Sequence, residues 1–162
     1  MTDKGWEERS MTLAPIVDTI MTRHVVTVSM DDTLRQVRDL FHSVRFHHLV
    51  VVENGRVAGV ISDRDLLKNI SPFVGKATER TQDSFTLAKK VHQIMSRRLI
   101  SCGPELSLGE AGRRMLDHQV SCLPVLDESG ACVGIVTIRD ILEWSLVACA
   151  GQSTSCALPQ AA

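Results

Sequence analysis

Gly59-Val-Ile-Ser-Asp-Arg-Asp65 returns 75 positions downstream as Gly134-Ile-Val-Thr-Ile-Arg-Asp140. In both stretches a small, β-branched run ends in a hydroxyl, Ser62 or Thr137, and a carboxylate follows three positions later, Asp65 or Asp140. Outward from there, the same offset carries Gly55 onto Gly130 and Leu67 onto Leu142. Upstream of Asn54-Gly55 the offset becomes 74, so that Val17, Ile20 and Met21 fall on Val91, Ile94 and Met95, Thr33-Leu34 on Ser107-Leu108, and Leu49 on Leu123. The one-residue slip sits where a turn absorbs it. A register held over so many positions is the mark of a duplicated supersecondary unit.

Each copy reads as β-α-β-β-α. A short apolar turn (Val17 to Met21; Val91 to Met95) leads into a β-rich stretch, His24 to Val28 or Leu99 to Cys102. Thr33-x-x-Gln36 and Ser107-x-x-Glu110 have capping-box spacing and predict a helix start. Leu34, Val37, Phe41 and Val44, matched by Leu108, Ala111 and Met115, mark its buried face. Leu49 to Val52 and Val57 to Ile61 flank Asn54-Gly55 as a hairpin, and Leu123 to Leu126 and Cys132 to Val136 flank Gly130. A second helix starts at Asp65 and at Asp140. Between the copies, Leu87, Val91, Ile94 and Met95 predict a short amphipathic helix. One such unit cannot bury its own sheet face, so the two are expected to pack together across their sheets.

Bulk properties narrow the function classes. Among 162 residues, 18 basic and 19 acidic side chains leave a net charge of −1, which argues against nucleic acid or a membrane surface as partner. The five Cys, an odd number without C-x-x-C spacing, are expected to be reduced thiols, placing the chain in the cytoplasm. No apolar run reaches the length of a spanning helix, and the polar start, MTDKGWEERS, does not read as an export signal. His24, His42, His92 and His118 lack metal-ligand spacing, so no metal site is expected, and Trp6 and Trp144 read as packing residues.

The segments Ile20-Met-Thr22, Leu49-Val-Val-Val52 and Gly59 to Asp65, with Ile94-Met-Ser96, Leu123-Pro-Val125 and Gly134 to Asp140, resemble a tandem pair of CBS (cystathionine-β-synthase) domains, a Bateman module. The resemblance covers about residues 15–148. It implies an α+β fold of two repeats packed sheet to sheet with pseudo-two-fold symmetry, two clefts for adenosine-containing ligands of the AMP, ADP or ATP class, and a homodimer. The expected organisation is an N-terminal extension (1–14), a first repeat (15–70), a linker (71–90), a second repeat (91–148) and a disordered tail (149–162).

The resemblance also supplies candidate binding residues. Ser62 and Asp65, with Thr137 and Asp140, match the family's ribose and phosphate signature, the carboxylate accepting ribose hydroxyls and Arg64 or Arg139 reaching phosphate. Each cleft is implied to be composite, with Ser96 and Ile100 facing the first pair and Thr22 and Val26 the second. Ser62, Asp65, Thr137 and Asp140 would equally serve as helix caps, and that reading stands beside the functional one. His47 and His48 occupy the place where related modules aim basic residues at phosphate, and since neighbours on a strand point to opposite faces, one of them is expected to serve. Their counterparts Ser121 and Cys122 are neutral, so the clefts are expected to be unequal.

Three functions compete. The first is a regulatory module sensing an adenosyl ligand, with no required cofactor and a separate regulated protein. The second is a dimerisation scaffold with dead clefts. The third, a nucleotide-processing enzyme, lacks a nucleophile paired with an oriented base in the sequence, and no catalytic residue is expected.

Overall fold

The computed structural model describes residues 15–43 and 46–151, the last two by backbone alone. The first repeat comprises β1 (Thr27–Ser29), α1 (Leu34–Ser43), β2 (His48–Glu53), β3 (Arg56–Ser62) and α2 (Asp63–Asn69). After α3 (Thr81–Phe85) the second comprises α4 (Leu108–His118), β4 (Cys122–Leu126), β5 (Cys132–Thr137) and α5 (Ile138–Gly151). β1 runs parallel to β2 and β2 antiparallel to β3, while β4 pairs antiparallel with β5. In the second repeat the counterpart of β1 is a single parallel bridge from Cys102 to Val125. The β2–β3 hairpin turns on Asn54 (φ 50°) and Gly55 (φ 77°), the two positive angles that favour an Asn-Gly pair.

Both helix starts expected from capping spacing are present. The Gln36 side chain accepts from the Thr33 amide at 2.7 Å, and the Ser107 hydroxyl accepts from the Glu110 amide at 3.3 Å. From these caps α1 buries Leu34 and Val37, and α4 buries Leu108, Ala111 and Met115. Val44, expected on the same face of α1, lies outside the described residues, as do Trp6, Cys156, the segment 1–14 and most of the tail. Trp144 packs against the second core.

The first strand of each hairpin is covered on both faces. Leu49 and Val51 face the helices of the first repeat, and Val50 between them, pointing the opposite way, is also fully buried. In β4, Cys122 and Pro124 alternate with Leu123 and Val125, and all four are buried. Strands covered on both faces are what two sheets packed against each other require.

The repeats also exchange their leading segments. Val17 and Met21 belong to the core cluster of the second repeat, and Val91 and Met95 to that of the first. Reciprocal backbone bonds fasten each exchange: Thr22 with Ile135 at 2.9 and 3.0 Å, and Ser96 with Val60 at 2.9 and 3.1 Å. The close approach requires Gly59 and Gly134. A Cβ on Gly59 would run into the Ser96 carbonyl, and one on Gly134 would meet the Met21 sulfur at 2.5 Å.

This exchange explains where the sequence reading departs from the structure. The β-rich stretch His24 to Val28 shrinks to Thr27–Ser29, and Leu99 to Cys102 keeps one bridge, because residues just upstream are crossing from one repeat to the other. The expected amphipathic linker helix is instead α3 followed by short 3-10 turns at Thr86–Ala88 and Val91–Gln93. Extended backbone at Lys89 and Lys90 (ψ 149° and 150°) separates those turns and lets residues 90–96 dock on the first repeat. The second helices begin at Asp63 and Ile138, two residues earlier than expected, so Asp65 and Asp140 sit inside the first turn.

Candidate functional site

Where each hairpin ends and its second helix begins, the backbone turns on a hydroxyl. Ser62 is the N-cap of α2: its hydroxyl accepts from the Asp65 amide at 3.2 Å, and its own amide and hydroxyl donate to Asp65 Oδ2 at 3.0 and 2.6 Å. Thr137 and Asp140 repeat the arrangement at 2.7, 2.8 and 3.3 Å. The capping role is therefore realised in both copies. It occupies Oδ2 of each carboxylate, whose second oxygen still has both lone pairs to offer a pair of hydroxyls. Several amides at these turns are already committed: the Asp63 and Ile138 amides donate to the His47 and Ser121 carbonyls at 3.1 and 3.0 Å, and the Ser62 and Thr137 hydroxyls take the Asp65 and Asp140 amides.

The pseudo-two-fold arrangement brings both turns to one continuous cleft of about 1310 Å³. Thr22, Val26, His47, His48, Ser62 and Arg64 line it, with Asp65, Ser96, Ile100, Ser121, Thr137, Arg139 and Asp140. Every candidate residue thus reaches one cavity. The bridge between Val60 and Ser96 sets the second repeat's leading segment beside the Ser62 turn, and that between Thr22 and Ile135 sets the first repeat's beside the Thr137 turn. A shallower groove of about 470 Å³ along α1 gathers none of these residues.

Both histidines line the cleft, so strand alternation does not set them on opposite faces: His47 precedes β2, which begins at His48. His47 Nδ1 lies 2.8 Å from Asp63 Oδ2, while His48 Nε2 lies 2.9 Å from Ser121 Oγ across the repeat boundary. Burial pushes His48 below its ordinary pKa, against the opposing pull of Asp63. Cys122, the counterpart of His48, is buried in the cleft wall, and loss of solvation pushes its thiol up to about 12. The four cysteines among the described residues are free. The contact of Ser121 with His48 corrects one expectation, since a hydroxyl does stand beside an imidazole. The orienting carboxylate is elsewhere: Asp63 is bonded to His47, and His48 has no second hydrogen bond among the described residues.

Sequence reasoning passed over Lys68, Glu143, Arg98 and Phe46, all of which line the cleft. Lys68 and Glu143 were in principle legible, because each stands three residues after the Asp on a helix and so shares its face. Arg139 is held by Glu143 at 3.0 Å, an exposed pair, whereas Arg64 makes no ion pair among the described residues. Phe46 lies beyond the strand and carries no periodic signal.

Among the described residues no helix is long and apolar enough to cross a membrane. A family model for the CBS domain matches residues 17–72 and 91–147. A CBS domain-containing protein of Dictyostelium discoideum is 33% identical over 130 residues, spanning 79% of this chain and 89% of that protein. Among solved structures, AcuB of Vibrio cholerae, assigned to acetoin utilization, is 26% identical at a TM-score of 0.68, covering 85% of this chain and 95% of that one. The cytosolic domain of the Mg2+ channel MgtE, solved in complex with ATP, is 28% identical at a TM-score of 0.60, covering 77% of this chain and 46% of that one.

Proposed function

We propose that this chain, which belongs to the CBS domain family as a tandem pair, is a regulatory module that binds an adenosine-containing ligand of the AMP, ADP or ATP class. The observation that carries this reading is the single cleft into which both hydroxyl-and-Asp turns open, each beside the other repeat's leading segment. Asp65 and Asp140 hold the ribose hydroxyls with the oxygen the cap leaves free. The backbone of residues 96–100 and 22–26 meets the adenine edge, with Ile100 and Val26 against its face. Arg64, Arg139 and the histidine pair attract phosphate. The ATP complex of the similar MgtE domain supports the ligand class.

A ligand bridging the two repeats favours the arrangement it fits best, and a regulated protein reads that arrangement. No catalytic step is assigned, because among the described residues the imidazole beside Ser121 has no carboxylate hydrogen-bonded to orient it. Exposed Leu67 and Leu142, at equivalent places on α2 and α5, together with Leu146, support a homodimer through these helices. Light scattering should then give twice the chain mass, and Leu67→Lys combined with Leu142→Lys should give the monomer.

Calorimetry with AMP, ADP and ATP tests the binding reading. With adenosine added to the set, Asp65→Ala and Asp140→Ala should each abolish one adenosyl binding event. Unchanged stoichiometry in both, or no heat from any adenosyl ligand, would reject it in favour of a scaffold with empty clefts.

A further inference from the structure

The duplication aligns the two halves of the cleft residue by residue, and they differ in charge: each carries two carboxylates, Asp63 and Asp65 against Asp140 and Glu143, but the first adds Lys68 and His47 to its arginine. Asp65 and Asp140 match, as do Arg64 and Arg139 beside them. One turn further along the same helix face, however, the first repeat presents Lys68 and the second Glu143. Glu143 binds Arg139 at 3.0 Å, an exposed pair, so a phosphate in the second half would compete with this carboxylate for the arginine. Lys68 leaves Arg64 free and adds its own charge. Upstream, His47 with Asp63 is replaced by Ser121 with Ile138, an exposed apolar side chain at the cleft wall. The first half therefore offers two cations with no ion pair among the described residues and an imidazole bound to Asp63, the second an arginine paired with Glu143 and an apolar wall.

From this contrast we infer that the two halves take different ligands: the Ser62 and Asp65 half a 5′-phosphorylated nucleoside, the Thr137 and Asp140 half an unphosphorylated nucleoside whose 5′ substituent is uncharged. Both keep the carboxylate for the ribose, so the sugar is read alike and the 5′ group differently. A phosphate placed in the second half would face Glu143 and displace it from Arg139, losing one attraction for each it gained. An uncharged 5′ group against Ile138 meets no such conflict. The inference rests on the reading of the cleft as an adenosyl site and adds the selectivity within it.

AMP and adenosine are the probes, titrated into the full chain in a calorimeter. AMP should fill one site, lost in Asp65→Ala and retained in Asp140→Ala, with adenosine losing a site in Asp140→Ala. Lys68→Glu, an exposed change that leaves the fold intact, should weaken AMP on the order of tenfold while leaving adenosine at the second half unaffected. Glu143→Lys should open a second AMP site. If AMP fills both halves alike and neither charge reversal alters it, the selectivity is wrong while the adenosyl reading stands. If neither AMP nor adenosine binds the wild-type chain, both fall together.

Discussion

Two glycines decide whether the repeats can exchange their leading segments, and they are not equally demanding. At Gly59 the obstacle to a side chain is the backbone carbonyl of Ser96, itself fixed by reciprocal bonds to Val60. At Gly134 the nearest atom is the end of the flexible Met21 side chain, with the Thr22 carbonyl at 3.2 Å behind it. Gly59→Ala should therefore cost more stability than Gly134→Ala, within the range of about 1–3 kcal/mol typical of overpacking. Urea denaturation of the two variants makes the comparison, and equal losses would mean that the Ser96 strand shifts as freely as a methionine side chain. Gly59 and Gly134 were visible in the sequence as repeat positions. Their reason was not, because the atoms they admit come from distant segments of the opposite repeat, Ser96 for Gly59 and Met21 with Thr22 for Gly134.

At the level of elements, the parts set by local chemistry were legible and the parts set by exchange were not. Capping at Thr33 and Ser107, the Asn54-Gly55 turn and the strand–turn–helix at Ser62 and Thr137 all follow from neighbouring side chains. The shortened β1 and the linker turns depend on partners that periodicity does not reveal. The capping boxes carry two roles at once, and these separate experimentally. Ser62→Ala removes the hydroxyl that receives the Asp65 amide and should lower stability by about 1 kcal/mol, as cap deletions do. It also frees Asp65 Oδ2 from its hydroxyl donor, so ribose binding should survive. Asp65→Ala loses both. A Ser62→Ala protein as unable to bind AMP as Asp65→Ala would show that the hydroxyl itself contacts ligand.

Across the whole molecule, the bond of His48 to Ser121 ties one repeat to the other at the middle of the cleft, and its environment sets a pH dependence. The groups facing the imidazole are Asp63 and Asp65, which favour its charged form, and His47 and Arg64, which oppose it, but burial outweighs them and lowers the pKa from 6.5. Between the lowered value and 6.5 the unfolded chain binds more protons than the folded one, so the stability that neutral His48 contributes is complete above 6.5 and is lost as pH falls through that window. Thermal unfolding of the ligand-free protein from about pH 7.5 to about pH 5.5 should show a falling midpoint that is shallower in His48→Gln, which keeps a hydrogen-bonding side chain without a titrating one. Identical slopes in the two proteins would place the pH response in the other histidines and leave the junction between the repeats uncoupled from protons.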